Sequence, residues 1–216
     1  MKKLLSSLLV AMAASGVVSN VAAQDAKAGE QKAAMCIGCH GIPGYQASFP
    51  EVHKVPMISG QGDKYIIAAL TGYKKGERKH PTMRGIAGSL SDKDMADLAA
   101  FYSTHAPGIT PVAAKPAREP SAQVTELLKK GNCISCHGDN FSKPIDASYP
   151  KLAGQHADYL YVALKSYQGG NSVVGRGNAI MGGMVKPYSL SELKAMAQYI
   201  GSLDGELRVV PQSRFR

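Results

Sequence analysis

Two pentapeptides, Cys36-Ile37-Gly38-Cys39-His40 and Cys133-Ile134-Ser135-Cys136-His137, contain all four cysteines of this 216-residue chain. The C-x-x-C-H pattern attaches c-type haem. Its two thiols add across the porphyrin vinyl groups, and the adjacent imidazole reaches the iron. Two copies therefore predict two covalent haems, with Cys36, Cys39, Cys133 and Cys136 as thioether donors and His40 and His137 as axial ligands. A zinc site with four thiolates is the competing reading, but it leaves both histidines without a role. A thioredoxin-like C-x-x-C needs a surrounding βαβ pattern, and neither motif has one.

The sixth coordination position decides the chemistry. An open iron binds substrates, whereas a methionine thioether closes the site and raises its potential for electron transfer. Met83 and Met181 fall at matched places, 43 and 44 residues beyond their histidines, each before a glycine-containing stretch expected to be a turn. Methionine is more often a core filler, and Met95 and Met196 read that way. Met35 reads as a packing residue, and Met57, whose counterpart is Leu152 or Lys151, has no ligand logic. Met184 competes with Met181, but its counterpart in the first copy is Ile86, which cannot ligate. His80 is an alternative ligand for the first site, although no histidine lies near Met181. His53, His105 and His156 read as surface or loop histidines.

These ligands must be placed by a duplicated scaffold. Pro56-Met57-Ile58-Ser59-Gly60-Gln61 matches Pro150-Lys151-Leu152-Ala153-Gly154-Gln155, and Tyr65 to Tyr73 matches Tyr159 to Tyr167. Met95, Leu98 and Phe101 repeat as Leu193, Met196 and Tyr199. Ordered self-similarity of this kind marks duplicated units. Ser91 with Asp94 and Ser189 with Glu192 have capping-box spacing before the last helix of each copy. Helices are also expected from Asp25 or Ala26 to Met35, and from Ser121 to Lys130 with Gly131 as the stop. No stretch shows strand alternation, so the fold class is all-α. Prolines between residues 107 and 120 predict an extended linker, separating a first domain (24–106) from a second (121–216). Units of this size have small cores, so folding is expected to depend on the attached porphyrin. Pro56 and Pro150 follow the histidines by 16 and 13 residues, and their carbonyls are candidates to accept from the imidazole Nδ1.

Residues 1–23 read as a secretory signal: Lys2 and Lys3, an apolar stretch from Leu4 to Val18, then Val21-Ala22-Ala23 as the cleavage site. The apolar stretch is shorter than the ~18 to 20 residues that span a bilayer, and no later segment qualifies. The mature chain is thus expected near Gln24, exported and without an integral membrane segment. Its formal charge falls from +9 to +7 on loss of the two lysines. That modest surplus favours an acidic partner surface. No dense basic run with interleaved aromatics supports nucleic-acid binding.

The tandem C-x-x-C-H units, the P-x-x-x-G-Q elements, the M-x-G stretches and the closing helices resemble cytochrome c4. The resemblance covers essentially the whole mature chain. It implies two tandem class I cytochrome c folds, haems close together near the domain interface, His/Met ligation at both irons, and a periplasmic location. It also implies electrons passing from a membrane quinol-oxidising complex toward a terminal oxidase. A departure is the long loop from Gly41 to His53 in the first unit, expected to alter the edge used for partner docking. The electron-accepting subunit of flavocytochrome c resembles the same fold and is the alternative. A dihaem peroxidase needs an open iron, which methionine at both matched positions opposes.

Overall fold

The structure is a computed structural model that describes residues 24–211; the predicted signal segment lies outside the described residues. Its first half contains α1 (Ala26–Lys32), α2 (Ala34–His40), the hairpin β1 (Gln46–Ala47) and β2 (His53–Lys54), α3 (Asp63–Lys74), α4 (Pro81–Gly88) and α5 (Asp92–Thr104). The second contains α6 (Ala122–Lys130), α7 (Ile134–His137), α8 (Ala157–Gln168), α9 (Ala179–Val185) and α10 (Leu190–Gly201). Residues 107–120 form no helix or strand. The all-α expectation holds apart from the hairpin. Its ladder is two residues long, too short to leave an alternating pattern in the sequence.

Local sequence explains where these helices start. Asp25 accepts from the backbone N–H groups of Lys27 and Ala28 at the head of α1. Ser121 does the same for Val124 in α6. Both expected capping boxes are formed, satisfying N–H groups that the first turn leaves without intrahelical partners. Gly131 closes α6 as expected. α4 and α9 start alike, at His80 and Asn178, whose side chains accept from Met83 N–H and Met181 N–H. The M-x-G stretches are therefore helical, with each methionine one turn inside a short helix.

Each half closes its first helix against its last. In the first, α1 crosses α5 so tightly that a Cβ on Gly29 would lie 2.0 Å from the Asp97 carbonyl oxygen. Met95, Leu98, Phe101 and Tyr102 of α5 pack with Ile37 and Ile66. In the second, Leu193, Met196 and Ile200 of α10 pack with Val124, Leu127 and Leu160. Met95 and Met196 are core residues, as expected.

The halves meet through a pseudo-twofold arrangement. Gln61 Nε2 donates to the Lys151 carbonyl and its Oε1 accepts from Lys151 N–H, at 3.0 and 2.9 Å. Gln155 does the same to Met57, at 2.9 and 3.0 Å. Arg78 and Arg176 face each other in an antiparallel bridge, flanked by Lys79 N–H to Gly175 O (3.0 Å) and Gly177 N–H to Glu77 O (2.7 Å). The long Gly41–His53 loop belongs to this interface. Glu51 pairs with Lys165 at 2.6 Å, and Lys54 N–H donates to Asp158 at 3.0 Å. The end of the chain also returns. Arg208 N–H donates to Ser59 O at 3.0 Å, Leu207 is buried, and Glu206 pairs with Lys151 at 2.6 Å. Gly60 has φ +85°, and a Cβ there would meet the Glu206 carbonyl at 2.4 Å. Only glycine suits that crossing.

Candidate haem sites at the interface

Each C-x-x-C-H motif sits on helical backbone, so its two thiols, three residues apart, share one face. All four thiols are free and half-buried. Burial raises the Cys36 and Cys133 thiols above the ordinary range. Among the described residues no group of three or more His, Cys, Asp or Glu side chains converges as a metal-binding cluster. The four-thiolate zinc arrangement therefore has no geometric basis.

Both histidines are oriented through Nδ1. His40 Nδ1 lies 2.8 Å from the Pro56 carbonyl, and His137 Nδ1 lies 3.3 Å from that of Pro150. A carbonyl can only accept, so each Nδ1 is the protonated nitrogen. Each Nε2 is then left with a free lone pair, the atom an iron requires. Burial pulls both imidazoles below their ordinary pKa, against the opposing effect of the carbonyl. They are held neutral, as ligands must be.

Two cavities complete the sites. One, about 420 Å³, is lined by Cys36, Cys39, His40 and Met83 together. The other, about 370 Å³, is lined by Cys133, Cys136, His137 and Met181. Their remaining walls are largely apolar, including Ile66, Leu70 and Leu98 in the first and Phe141, Leu164 and Met196 in the second. The Tyr102 hydroxyl, on the first cavity's wall, is buried without a hydrogen-bond partner. Two large apolar pockets, each with a thiol pair, an oriented neutral imidazole and a thioether, fit a covalently attached haem.

The other candidates sort themselves by position. Met184 lines the second cavity with Met181 but is about half exposed. Met35, read as a packing residue, is half exposed at the first cavity, and Met57 lines the same cavity. His80 lines that cavity while its Nδ1 caps α4, and Asn178 is its counterpart in the second half. His53 corrects the surface reading. It is buried, its Nδ1 is 2.8 Å from the Glu51 carbonyl, and its ring lies 6.0 Å from that of Tyr159. The hairpin fold-back encloses it. His105 stacks on Phe101 at 4.4 Å.

Sequence reasoning missed the centre of the interface. Arg78 packs over Tyr65 and Tyr73, at 5.3 and 5.5 Å, and Arg176 over Tyr159 and Tyr167, at 5.5 and 5.3 Å. Each also donates to a tyrosine hydroxyl: Arg78 to Tyr65 at 3.3 Å and Arg176 to Tyr159 at 3.2 Å. Burial raises the Tyr65 hydroxyl. It pushes Tyr159 the same way, but Arg176 and Arg78 outweigh it and the net shift is downward. A usable signal existed: both arginines fall five residues before their methionines.

Comparison with known proteins agrees with this geometry. The family described as Cytochrome c matches residues 26–106 and again 121–204. The chain is 32% identical to cytochrome c4 of Azotobacter vinelandii, over 94% of this chain and 100% of that protein. It is 30% identical to the thiosulfate dehydrogenase electron acceptor of Stutzerimonas stutzeri, covering 81% of this chain and 82% of that one. Reduced cytochrome c4 from Pseudomonas stutzeri superposes with a TM-score of 0.64 at 30% identity, covering 84% of this chain and all of that one. With two tandem cytochrome c domains, this chain belongs to the cytochrome c4 family of dihaem electron-transfer proteins.

Proposed function

We propose that each cavity holds one haem c, joined to Cys36 and Cys39 in the first domain and to Cys133 and Cys136 in the second. His40 with Met83, and His137 with Met181, are the axial pairs. The carrying observation is that one cavity in each half brings a motif histidine and the repeat-equivalent methionine onto its wall together. When bound, haem iron supplies one-electron chemistry between the ferric and ferrous states. The protein's part is to hold both axial donors, orient the imidazoles through the carbonyls of Pro56 and Pro150, and wall the site with apolar side chains.

In this reading residues 1–23 are a cleaved leader, residues 24–106 and 121–216 are the two domains, and 107–120 join them. Among the described residues no helix is long and apolar enough to cross a membrane. The chain works in the periplasm, taking single electrons from a membrane quinol-oxidising complex and passing them toward a terminal oxidase. Its excess of Lys and Arg over Asp and Glu suits transient docking on acidic surfaces. A second reading, electron acceptor for a periplasmic dehydrogenase, is favoured by its likeness to the thiosulfate dehydrogenase acceptor.

The ligands are tested by the weak far-red absorption of thioether-ligated ferric haem. Met83→Ala and Met181→Ala should each remove about half of its intensity. Undiminished intensity in either variant would reject that ligand. The route is tested by adding the protein to quinol-reduced membranes or to a thiosulfate-oxidising dehydrogenase. Reduction only by the second would replace the respiratory reading.

A further inference from the structure

We propose that Arg78 and Arg176 form one shared seat for the carboxylates of both haems, so that each domain supplies a cation to its neighbour's cofactor as well as to its own. The proposal rests on the haem reading above. It starts from a charge imbalance. Arg78 and Arg176 stand opposite one another across a main-chain β-bridge at the domain boundary, and Arg176 is buried. Among the described residues neither has a carboxylate within ion-pairing distance; the ion pairs present all involve lysine. Positions 1–23 and 212–216, outside the described residues, contain no Asp or Glu.

A guanidinium offers five N–H donors. Among the described residues each of these side chains has a single hydrogen-bond acceptor, one tyrosine hydroxyl. The tyrosine faces soften the charge through cation–π contact. That is small beside the penalty on a buried ion without a counter-ion. Two such cations side by side also repel one another. The arrangement is therefore built for an anion that the polypeptide does not provide.

Position identifies the anion. Arg78 and Arg176 line both cavities, as do Tyr65 and Tyr159. A ligand filling either cavity meets both guanidiniums. Haem carries two propionates, and the planar fork of arginine matches a carboxylate in bidentate fashion. A cation near haem iron disfavours the ferric state, which carries the greater positive charge. Because both arginines face both cavities, removing either should affect both irons.

The experiment is spectroelectrochemical titration of exported, haem-loaded protein, with haem counted per chain in every variant. Arg78→Gln and Arg176→Gln should each lower both midpoint potentials. Arg78→Lys and Arg176→Lys, which keep the charge but lose the fork, should lower both by less, and they carry the test if the glutamine variants do not accumulate. Gln61→Ala loosens the same boundary without removing charge and should move the potentials least. With two haems attached, a shift confined to the mutated domain, no shift, or an equal shift in Gln61→Ala would overturn the shared seat alone. Fewer than two haems in the unmutated protein would overturn the haem reading and the seat with it.

Discussion

Gln61 and Gln155 make the same pair of hydrogen bonds in opposite directions, each clasping a backbone amide and carbonyl of the other half. Each side chain also accepts from the backbone N–H that follows it, Gly62 for Gln61 and His156 for Gln155. Both glutamines are buried, so truncation strands backbone groups on the opposite half. Gln61→Ala and Gln155→Ala should each cost on the order of 1–3 kcal/mol of boundary stability. Limited proteolysis within residues 107–120 should speed up in either variant. Unchanged cleavage would show that the hairpin and the returning C-terminal segment hold the halves without them.

The two axial histidines differ in one measurable respect: the Nδ1-to-carbonyl distance is 2.8 Å at His40 and 3.3 Å at His137. The shorter bond is the stronger. In hydrogen-exchange NMR of the reduced protein, the His40 Nδ1 proton should persist longer. Equal exchange, or faster exchange at His40, would remove the distinction.

Asp97 is fully buried yet ion-paired, with Lys32 at 2.7 Å, Lys93 at 3.0 Å and Asp25 N–H at 3.0 Å. Its carboxyl is held below the ordinary range by Lys32 first, against burial, with help from Lys93 and the Asp25 N–H. A depressed folded-state pKa contributes stability above the unfolded value of ~3.9, lost as pH falls through the folded value. Asp97→Asn should therefore cost on the order of 1–3 kcal/mol at neutral pH. The gap between mutant and parent melting temperatures should narrow below about pH 4. A gap independent of pH would mean that shape, not charge, is what Asp97 contributes.

Without cofactor each half contains a large hole. At ~24 cal/mol per Å³ of cavity, a volume of about 420 Å³ costs up to about 10 kcal/mol. The whole stability of a domain is typically about 5–15 kcal/mol. A chain with all four motif cysteines changed to alanine should lose cooperative thermal unfolding and most native circular dichroism. A sharp transition with native helix content would refute this.

The sequence revealed most where the determinants are local. A Ser with an acid three residues later and an apolar helical stripe are each decided within a few residues, and both fold as read. The methionines lay one step further. Their repeat spacing located them, but the helix start was hidden because His80 and Asn178 are less obvious caps than serine. The cross-domain contacts of Arg78, Arg176, Gln61 and Gln155 were illegible: they join residues 90 or more apart, and nothing in either copy alone indicates that the copies face each other. The long loop was read for its effect on the docking edge; its contacts with Asp158 and Lys165 stayed hidden because those residues are in the other half.

The returning segment at residues 206–208 carries a consequence for biogenesis. It follows α10 in the chain, so it is synthesised after both domains, yet it lies against Ser59 and Gly60 in the first half. On the proposed haem reading, attachment at Cys36 and Cys39 can therefore precede this contact, in a window when the first cavity is not yet covered by its neighbour. The final turn of the strap then closes that window, acting as a latch on maturation order as well as on shape.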